Sequence, residues 1–153
     1  MTKKYDFNDL VEVFKALRNP ESGCPWDLKQ THKSITKHLI EETYELVDAI
    51  ENNPEKIKEE LGDVLLQVML HSQIASDEKN FCIKDVIQNL CEKLIERHPH
   101  VFSNITVKDT DEVLKNWEKI KKSKNKQTLL AGVPKSLPAL LKADIIGKKV
   151  ASV

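Results

Sequence analysis

The sequence predicts an all-α protein, a bundle of about five helices, and three observations favour this class. Apolar residues recur with helical spacing along most of the 153-residue chain. Its four glycines are few for a β-sandwich or a barrel, and a content of 40% hydrophobic and 31% charged residues suits a soluble helical domain. A single domain of this length buries roughly 70% of the surface that its unfolded chain exposes.

The first helix is predicted over Phe7 to Leu17, with Asp6 as its N-cap. It ends before Pro20, because the residue that precedes a proline is disfavoured in the α region. A turn-rich segment, Asn19 to Gln30, follows and contains Trp26. This tryptophan either stacks on a planar ligand as a lid residue or packs the segment onto the body of the protein. Both interpretations stay open.

Two longer helices follow in close succession, from Thr31 to about Asn52 and from Pro54 to about Ser76. Thr31 or Ser34 is the expected cap of the first, and Pro54 suits the first turn of the second. Apolar residues mark one face of each helix: Ile35, Leu39, Leu46 and Ile50, widened by Ile40, Tyr44 and Val47, and then Ile57, Leu61, Val64, Leu65, Val68 and Ile74. The short connection lets the two helices pack antiparallel.

A fourth helix is predicted from about Cys82 to Arg97 and a fifth from Thr110 to about Lys122. We therefore expect a helical domain over residues 1–122, a basic linker over 123–135 and a connecting helix over 136–153. The connecting helix has no stop signal before the last residue, so we also consider it as the start of a truncated second domain.

Charge and cysteine content exclude several classes of protein. The formal net charge is zero, so there is no global attraction to nucleic acid or to a membrane. The three cysteines, Cys24, Cys82 and Cys91, form no C-x-x-C pair, which argues against a disulfide framework and a structural zinc site. No apolar run approaches the ~18 residues of a membrane span, and no signal-peptide core is present. The expected compartment is the cytoplasm.

Acidic residues gather on the second and third predicted helices. Glu41 and Glu45 are four residues apart, with Glu42 one position aside, and Glu60 and Asp63 are three apart. Side chains at these spacings share a helix face. A charged face is usually solvated, but these positions border apolar stripes on consecutive helices. If the helices pair antiparallel, the two acidic patches meet.

Four or five carboxylates in one cleft repel one another and raise their own pKa values unless a cation neutralises them. All-oxygen ligation favours Mg²⁺, with Mn²⁺ as the alternative, over zinc. Magnesium commonly links carboxylates to substrate phosphates, so a phosphate ester or anhydride is the natural substrate. Two ions a few ångströms apart activate a water and stabilise the leaving group.

Basic residues are candidates for binding the phosphates. Lys93 and Arg97 share one face of the fourth helix, where they either grip phosphate oxygens or form a surface pair. Lys121, near Trp117, supports the same hypothesis more weakly, since a tryptophan at that position is more often core. No Walker A loop or G-x-G-x-x-G motif is present, so a nucleotide is not held in the P-loop or Rossmann manner.

The E-E-x-x-E segment of Glu41, Glu42 and Glu45, followed by the E-x-x-D of Glu60 and Asp63, resembles the signature of the MazG-type nucleoside triphosphate pyrophosphohydrolases. Further segments match as well: Gly23-Cys24-Pro25-Trp26-Asp27, Gln30-Thr31, Arg97-His98-Pro99-His100-Val101-Phe102 and Trp117-Glu118-Lys119-Ile120-Lys121. The similarity covers essentially Asp9 to Lys149, and the motifs are highly specific in combination.

The resemblance implies an all-α pyrophosphatase fold with a four-helix core, completed by homodimerisation, in which residues 1–122 are the catalytic domain. It implies Mg²⁺-dependent hydrolysis of nucleoside triphosphates to monophosphate and pyrophosphate. The residues that it implies for metal binding are Glu41, Glu42, Glu45, Glu60 and Asp63. Glu42 would orient the attacking water. Those implied for the substrate are Lys93, Arg97 and Lys121 for phosphate, and Trp26 or Trp117 for the base.

Longer members of this family carry two such domains in tandem, and this chain looks like the first domain with the connecting segment. One copy of a tandem can be catalytically weak and serve dimerisation. Two hypotheses therefore stand: an active pyrophosphohydrolase, and a metal-binding but poorly catalytic dimerisation domain. A third, a helical module that binds nucleic acid through the basic linker, is disfavoured by the zero net charge.

Overall fold

The computed structural model describes residues 3–124, 130 and 132–151, with the backbone alone described at 121–124. Within these residues the structure is helical and has no strand, which confirms the all-α prediction. The helices are α1 (Phe7–Leu17), α2 (Pro25–Lys29), α3 (Thr36–Asn52), α4 (Ile57–Asp77), α5 (Ile83–Arg97), α6 (Pro99–Phe102), α7 (Thr110–Lys124) and α8 (Ala139–Ala151). Among them we find none with the length and apolarity needed to span a membrane.

The five predicted helices are all present, and the start of α1 is capped as expected. The Asp6 carboxylate accepts the backbone N–H of Asp9, and the Asp9 carboxylate accepts the backbone N–H of Asp6. The predicted cap of α3 is wrong. Ser34 donates its N–H to the Thr31 hydroxyl at 3.2 Å, so these two residues form a turn, and α3 begins only after it.

Two short helices, which the sequence did not predict, lie between the longer ones. α2 occupies the segment expected to be a loop, and Pro25 stands in its first turn, where the missing N–H costs nothing. α6 follows His98. A 3-10 turn at Pro54–Lys56 joins α3 to α4, so the third predicted helix begins about one turn later than expected.

The chain divides into two compact units, one ending at Leu90 and one beginning at Cys91. In the first unit α3 and α4 form an antiparallel hairpin, and α1 packs against α4. The second unit holds the end of α5 with α6, α7 and α8. The predicted boundaries at 122 and 135 stay predictions, and residues 125–129, 131 and 152–153 lie outside the described part of the chain.

The core of the first unit lies at the C-terminal half of α4. A cluster of buried side chains joins α1, the residue before α3, and α4: Phe14, Ile35, Met69, Leu70 and Ile74. Leu10, Val11 and Ile83 pack against it while partly exposed. The first half of α4, which lies nearer the hairpin turn, contributes none of these buried side chains.

Two apolar stripes of the hairpin are exposed, although the sequence predicted a core position for them. The α3 stripe consists of Ile40, Tyr44 and Val47, and the α4 stripe consists of Leu61, Leu65 and Val68. Members of each stripe are spaced i, i+4, i+7, so each stripe forms one continuous apolar face of its helix. Large apolar side chains gathered in this way mark a contact surface rather than a solvated face.

The core assignment predicts a contrast between two alanine substitutions. Ile74 is 1% exposed within the core cluster, and Val13 on α1 is 46% exposed. Ile74→Ala removes packed atoms and leaves a cavity, so it should lower the free energy of unfolding by about 2–5 kcal/mol. Val13→Ala should stay within about 0.5 kcal/mol. Urea denaturation measures both, and equal losses would contradict the assignment of the core.

Candidate metal centre

The α3–α4 hairpin brings together three of the five carboxylates predicted from the sequence. One carboxylate oxygen from each of Glu42, Glu60 and Asp63 lies within 4.8 Å of the other two. Glu42 comes from α3, and Glu60 and Asp63 come from the first half of α4. Their spacing on α4 places both on one face, and the antiparallel packing turns that face toward Glu42.

This cluster is partly withdrawn from water, which changes the acidity of its members. Glu60 is only 9% exposed, and Glu42 and Asp63 are half-buried. Burial is the main cause that raises the pKa of Glu42, followed by the negative charges of Asp63, Glu45 and Glu60. Burial also leads the causes that raise the pKa of Glu60, with its acidic neighbours next. Without a cation, the site therefore disfavours its own charge.

The other two predicted ligands lie at the border of the cluster. Glu41 is exposed, and its Oε2 lies 3.1 Å from Nδ1 of His38. Glu45 is exposed as well and is not among the three that meet within 4.8 Å. Its charge nevertheless contributes to raising the pKa of both Glu42 and Glu60. Glu45 and Glu60 also line one cavity of about 500 Å³ beside the hairpin turn.

Two residues near the cluster were missed by the sequence reasoning. Lys56 lines the same cavity, and its charge lowers the pKa of Glu60. His38 lies one turn before Glu42 on α3, and its charge lowers the pKa of that carboxyl group. The signal for both was available, since each stands four residues before a predicted ligand.

The donor set fits a hard divalent cation. Three carboxylates from two helices supply oxygen atoms alone, the ligand type preferred by Mg²⁺ and Mn²⁺. A bound cation would also stabilise the charged carboxylates. It would offset the burial and the repulsion that raise the pKa values of Glu42 and Glu60.

Trp26 lies in the first unit, close to α3. Its side chain is 53% exposed, so the interpretation of it as a buried plug is not what the structure shows. The Trp26 ring is 6.2 Å from the ring of His38, with 58° between the planes. Since His38 is one turn from Glu42, an exposed aromatic ring stands near the edge of the carboxylate cluster.

The remaining candidates for substrate binding lie in the second unit. Lys93 is exposed and Arg97 is half-buried. The guanidinium carbon of Arg97 is 5.2 Å from the ring centre of Trp117, a cation–π contact. The His98 ring meets Trp117 edge-on at 4.9 Å. Trp117 is thus half-buried among basic residues, and the side chain of Lys121 lies outside the described part of the chain.

Fold and site together define a class: an all-helical protein, over its described residues, with a carboxylate cluster suited to a divalent cation. Comparison with known proteins names the family. Residues 30–102 match the model of the MazG nucleotide pyrophosphohydrolase domain. This range contains all five predicted carboxylates. Residues 30–102 of the chain are thus a MazG-type domain, as the sequence signature predicted.

Several relatives agree with this assignment. The chain is 50% identical over 148 residues to the uncharacterized protein YabN of Bacillus subtilis, covering 94% of this chain and 30% of YabN. It is 48% identical to the nucleoside triphosphate pyrophosphohydrolase/pyrophosphatase MazG of Thermotoga maritima, covering 96% of this chain and 57% of that protein. It is 41% identical to the nucleoside triphosphate pyrophosphohydrolase of Escherichia coli, covering 94% and 57%.

A solved structure supports the fold. The crystal structure of a MazG-related protein from Thermotoga maritima aligns with a TM-score of 0.63 and 27% identity, covering 75% of this chain and 98% of that one. By contrast, the chain spans only 30% to 57% of the length of the three sequence relatives named above.

The raised pKa of Glu42 predicts how stability depends on pH without metal. Because its folded pKa lies above its ordinary 4.5, the folded state binds the proton more tightly. The stability gained in this way is present below pH 4.5 and is lost as the pH rises through the raised folded pKa. In EDTA, Glu42→Gln should therefore gain Tm relative to wild type between pH 4.5 and 8.

The matched control is Glu51→Gln, which neutralises an exposed glutamate of the same helix. Its Tm should follow the wild-type curve at every pH. Adding Mg²⁺ at pH 8 should raise the Tm of wild type more than that of Glu42→Gln, because binding to the folded state alone stabilises it. Parallel curves for Glu42→Gln and wild type would contradict the assigned electrostatics.

Proposed function

We propose that this chain is a Mg²⁺-dependent nucleoside triphosphate pyrophosphohydrolase, which converts a nucleoside triphosphate and water to the monophosphate and pyrophosphate. The single observation that carries the proposal is the meeting of Glu42, Glu60 and Asp63 at the α3–α4 hairpin, inside the segment that matches the MazG domain. Relatives that carry this activity in their names support it. The activity would serve house-cleaning or control of the nucleotide pool.

In this proposal Glu42, Glu60 and Asp63 hold the metal, with Glu41 and Glu45 as additional ligands. When bound, Mg²⁺, with Mn²⁺ as the alternative, supplies charge stabilisation for the phosphates and lowers the pKa of bound water. Glu42 orients the attacking water. Its position on α3 opposes the two ligands from α4, so its carboxylate faces the same site as the metal.

The substrate contacts follow from charge and ring type. Lys93, Arg97 and Lys121 are proposed to bind phosphate oxygens, since a polyphosphate requires cations from the protein as well as the metal. Trp26 or Trp117 is proposed to stack on the base. Trp26 is the favoured residue for stacking, because its ring is exposed and lies near α3. Trp117 already contacts Arg97 and His98.

The proposal predicts release of pyrophosphate, rather than orthophosphate, from a panel of ribo- and deoxyribonucleoside triphosphates when Mg²⁺ is present. Glu42→Gln and Asp63→Asn should each retain the helical spectrum and lose at least about a hundredfold in kcat, the order of a lost metal ligand or general base. Glu51→Gln, on the same helix, should retain wild-type turnover. Pyrophosphate-coupled assays with and without EDTA measure all of these.

Two outcomes would change the assignment. Full turnover by both Glu42→Gln and Asp63→Asn would contradict the proposed site. A folded wild-type protein whose Tm rises with Mg²⁺ but which releases no pyrophosphate would favour the alternative from the sequence, a metal-binding but poorly catalytic dimerisation domain.

We further propose that the chain forms a homodimer through the α3 and α4 stripes. The six apolar side chains of these stripes are 37–59% exposed in the single chain, although both helices belong to the hairpin that holds the metal ligands. Covering them removes apolar surface from water at about 25 cal/mol per Å². A second copy presents the same apolar faces, as a twofold interface requires.

Charged substitutions in the stripes test the dimer. Val47→Lys and Leu65→Lys place an ammonium group on the α3 and α4 stripes and should shift the mass measured by sedimentation from two chains to one. Val13→Lys, at a similarly exposed site on α1, should leave two chains together. A wild-type protein that sediments as one chain at micromolar concentration would overturn this proposal without affecting the metal site.

A further inference from the structure

The segment between α1 and α3, residues 19–35, is called here the Trp26 arm. It contains α2, whose five residues are too few to be stable alone, since isolated helices shorter than about 12–15 residues are marginal in water. The placement of Trp26 near His38 and the carboxylate cluster must therefore come from tertiary contacts. Ile35, at the end of the arm, is buried in the core cluster. Three further sets of contacts hold the arm, and none of them involves the Trp26 side chain.

The arm starts by folding back on the end of α1. Gly23 donates its N–H to the Asn19 carbonyl at 2.8 Å, and Cys24 donates its N–H to the Leu17 carbonyl at 2.8 Å. A Cβ atom at Gly23 would lie 2.5 Å from both carbonyl oxygens. Glycine is therefore required here by close backbone approach, and the turn directs the chain into α2.

Arg18 then joins the arm to α4. It is the last residue before the arm, and its side chain is only 8% exposed. Its Nε donates to the Asp77 carboxylate at 2.6 Å, at the end of α4. Its Nη1 donates to the backbone oxygens of Asp27 and Gln30, at the end of α2. One guanidinium thus donates to the Gln30 carbonyl and to the Asp27 carbonyl, which also accepts the Gln30 N–H, and it ties both to α4.

A histidine pair makes the second connection to α4. Nδ1 of His32 lies 2.8 Å from Nδ1 of His71. The ring planes differ by 8°. The ring centroids are 5.1 Å apart and the two Nδ1 atoms are 2.8 Å apart, a difference of 2.3 Å. The difference equals the two centroid-to-nitrogen distances added together, which is its largest possible value. It is reached only when both Nδ1 atoms lie on the line that joins the ring centroids. The rings therefore lie edge to edge in nearly one plane and share an in-line Nδ1–H···Nδ1 hydrogen bond, which requires one protonated and one bare Nδ1.

The surroundings of His71 suit this arrangement. Burial, followed by the charge of His32, lowers the pKa of His71 and so favours its neutral ring. Its Nε2 is buried and has no hydrogen-bond partner among the described residues. Burying a polar atom without a hydrogen bond costs free energy. Since Nε2 makes no such bond within the described residues, the ring is held by its Nδ1 hydrogen bond and by packing.

Both connections end on α4, the helix whose first half carries Glu60 and Asp63. We propose that Arg18 and the His32–His71 pair are positioning residues for the reaction, which fix the Trp26 arm on α4 so that Trp26 meets the nucleotide base at the metal site. This inference rests on the proposed function. It assigns to Arg18, His32 and His71 a role in substrate affinity, while the metal ligands determine turnover.

The first test follows Trp26 without using activity. The chain has two tryptophans, so a Trp117→Phe background reports on Trp26 alone. Arg18→Met and His71→Leu should each increase acrylamide quenching of Trp26. Arg18→Lys and His71→Asn, which retain a donor near the original position, should restore part of the protection. The control is Lys15→Met, which removes an exposed charge on α1 that pairs with Glu12.

The second test uses kinetics in the otherwise wild-type chain. Arg18→Met and His71→Leu should raise KM for the triphosphate about tenfold, the order of one lost charge-assisted hydrogen bond, and leave kcat within about twofold. In a Trp26→Ala background the same substitutions should add no further change in KM. A merely structural role would lower the active fraction, and hence kcat, in both backgrounds.

Failure of this inference is separable from failure of the proposed function. A wild-type chain that releases no pyrophosphate leaves the quenching test intact. Trp26 quenching and KM in Arg18→Met and His71→Leu equal to those of Lys15→Met would overturn the inference. A KM effect that persists in full without Trp26 would overturn it as well. Should Arg18→Met not fold, His71→Leu and Arg18→Lys carry both tests.

Discussion

Three carboxylates, from Glu42, Glu60 and Asp63, are held within 4.8 Å of one another by the α3–α4 hairpin. Like charges at this separation repel, and burial of Glu60 prevents water from screening them fully. The repulsion does not separate the two helices, because the core at the far end of α4 holds the hairpin in place. In the proposed function, a divalent cation bound here would relieve the repulsion and join α3 to α4, so metal binding would add to stability.

The two halves of α4 have different tasks. Its first half carries Glu60 and Asp63, and its second half carries the core side chains together with the partners of the Trp26 arm. Polar positions continue between them: Glu60, Asp63, Gln67 and His71 recur at helical spacing along one side of the helix. One helix therefore supports both the candidate metal ligands and the arm.

The exposed stripes explain why so little of the first unit is fully buried. Over the described residues, the buried apolar side chains are few and lie mainly at one end of α4. The α3 and α4 stripes carry large apolar groups that a single chain does not cover. In the proposed homodimer, a second copy would cover these stripes.

The sequence by itself determined the helical class, the bounds of α1 and the candidate ligands, because helical spacing and caps are local properties. Local spacing also placed Glu60 and Asp63 on one face. It could not decide which carboxylates on α3 join them, and only the hairpin packing selects Glu42 and leaves Glu41 beside His38. The predicted cap of α3 was wrong because Thr31 and Ser34 form a local turn instead. The proposed positioning roles of Arg18 and His71, and the docking of α2 where a loop was predicted, depend on partners 59 and 39 residues away. Such contacts leave no periodic signal, because they are made only when distant segments meet in the folded chain.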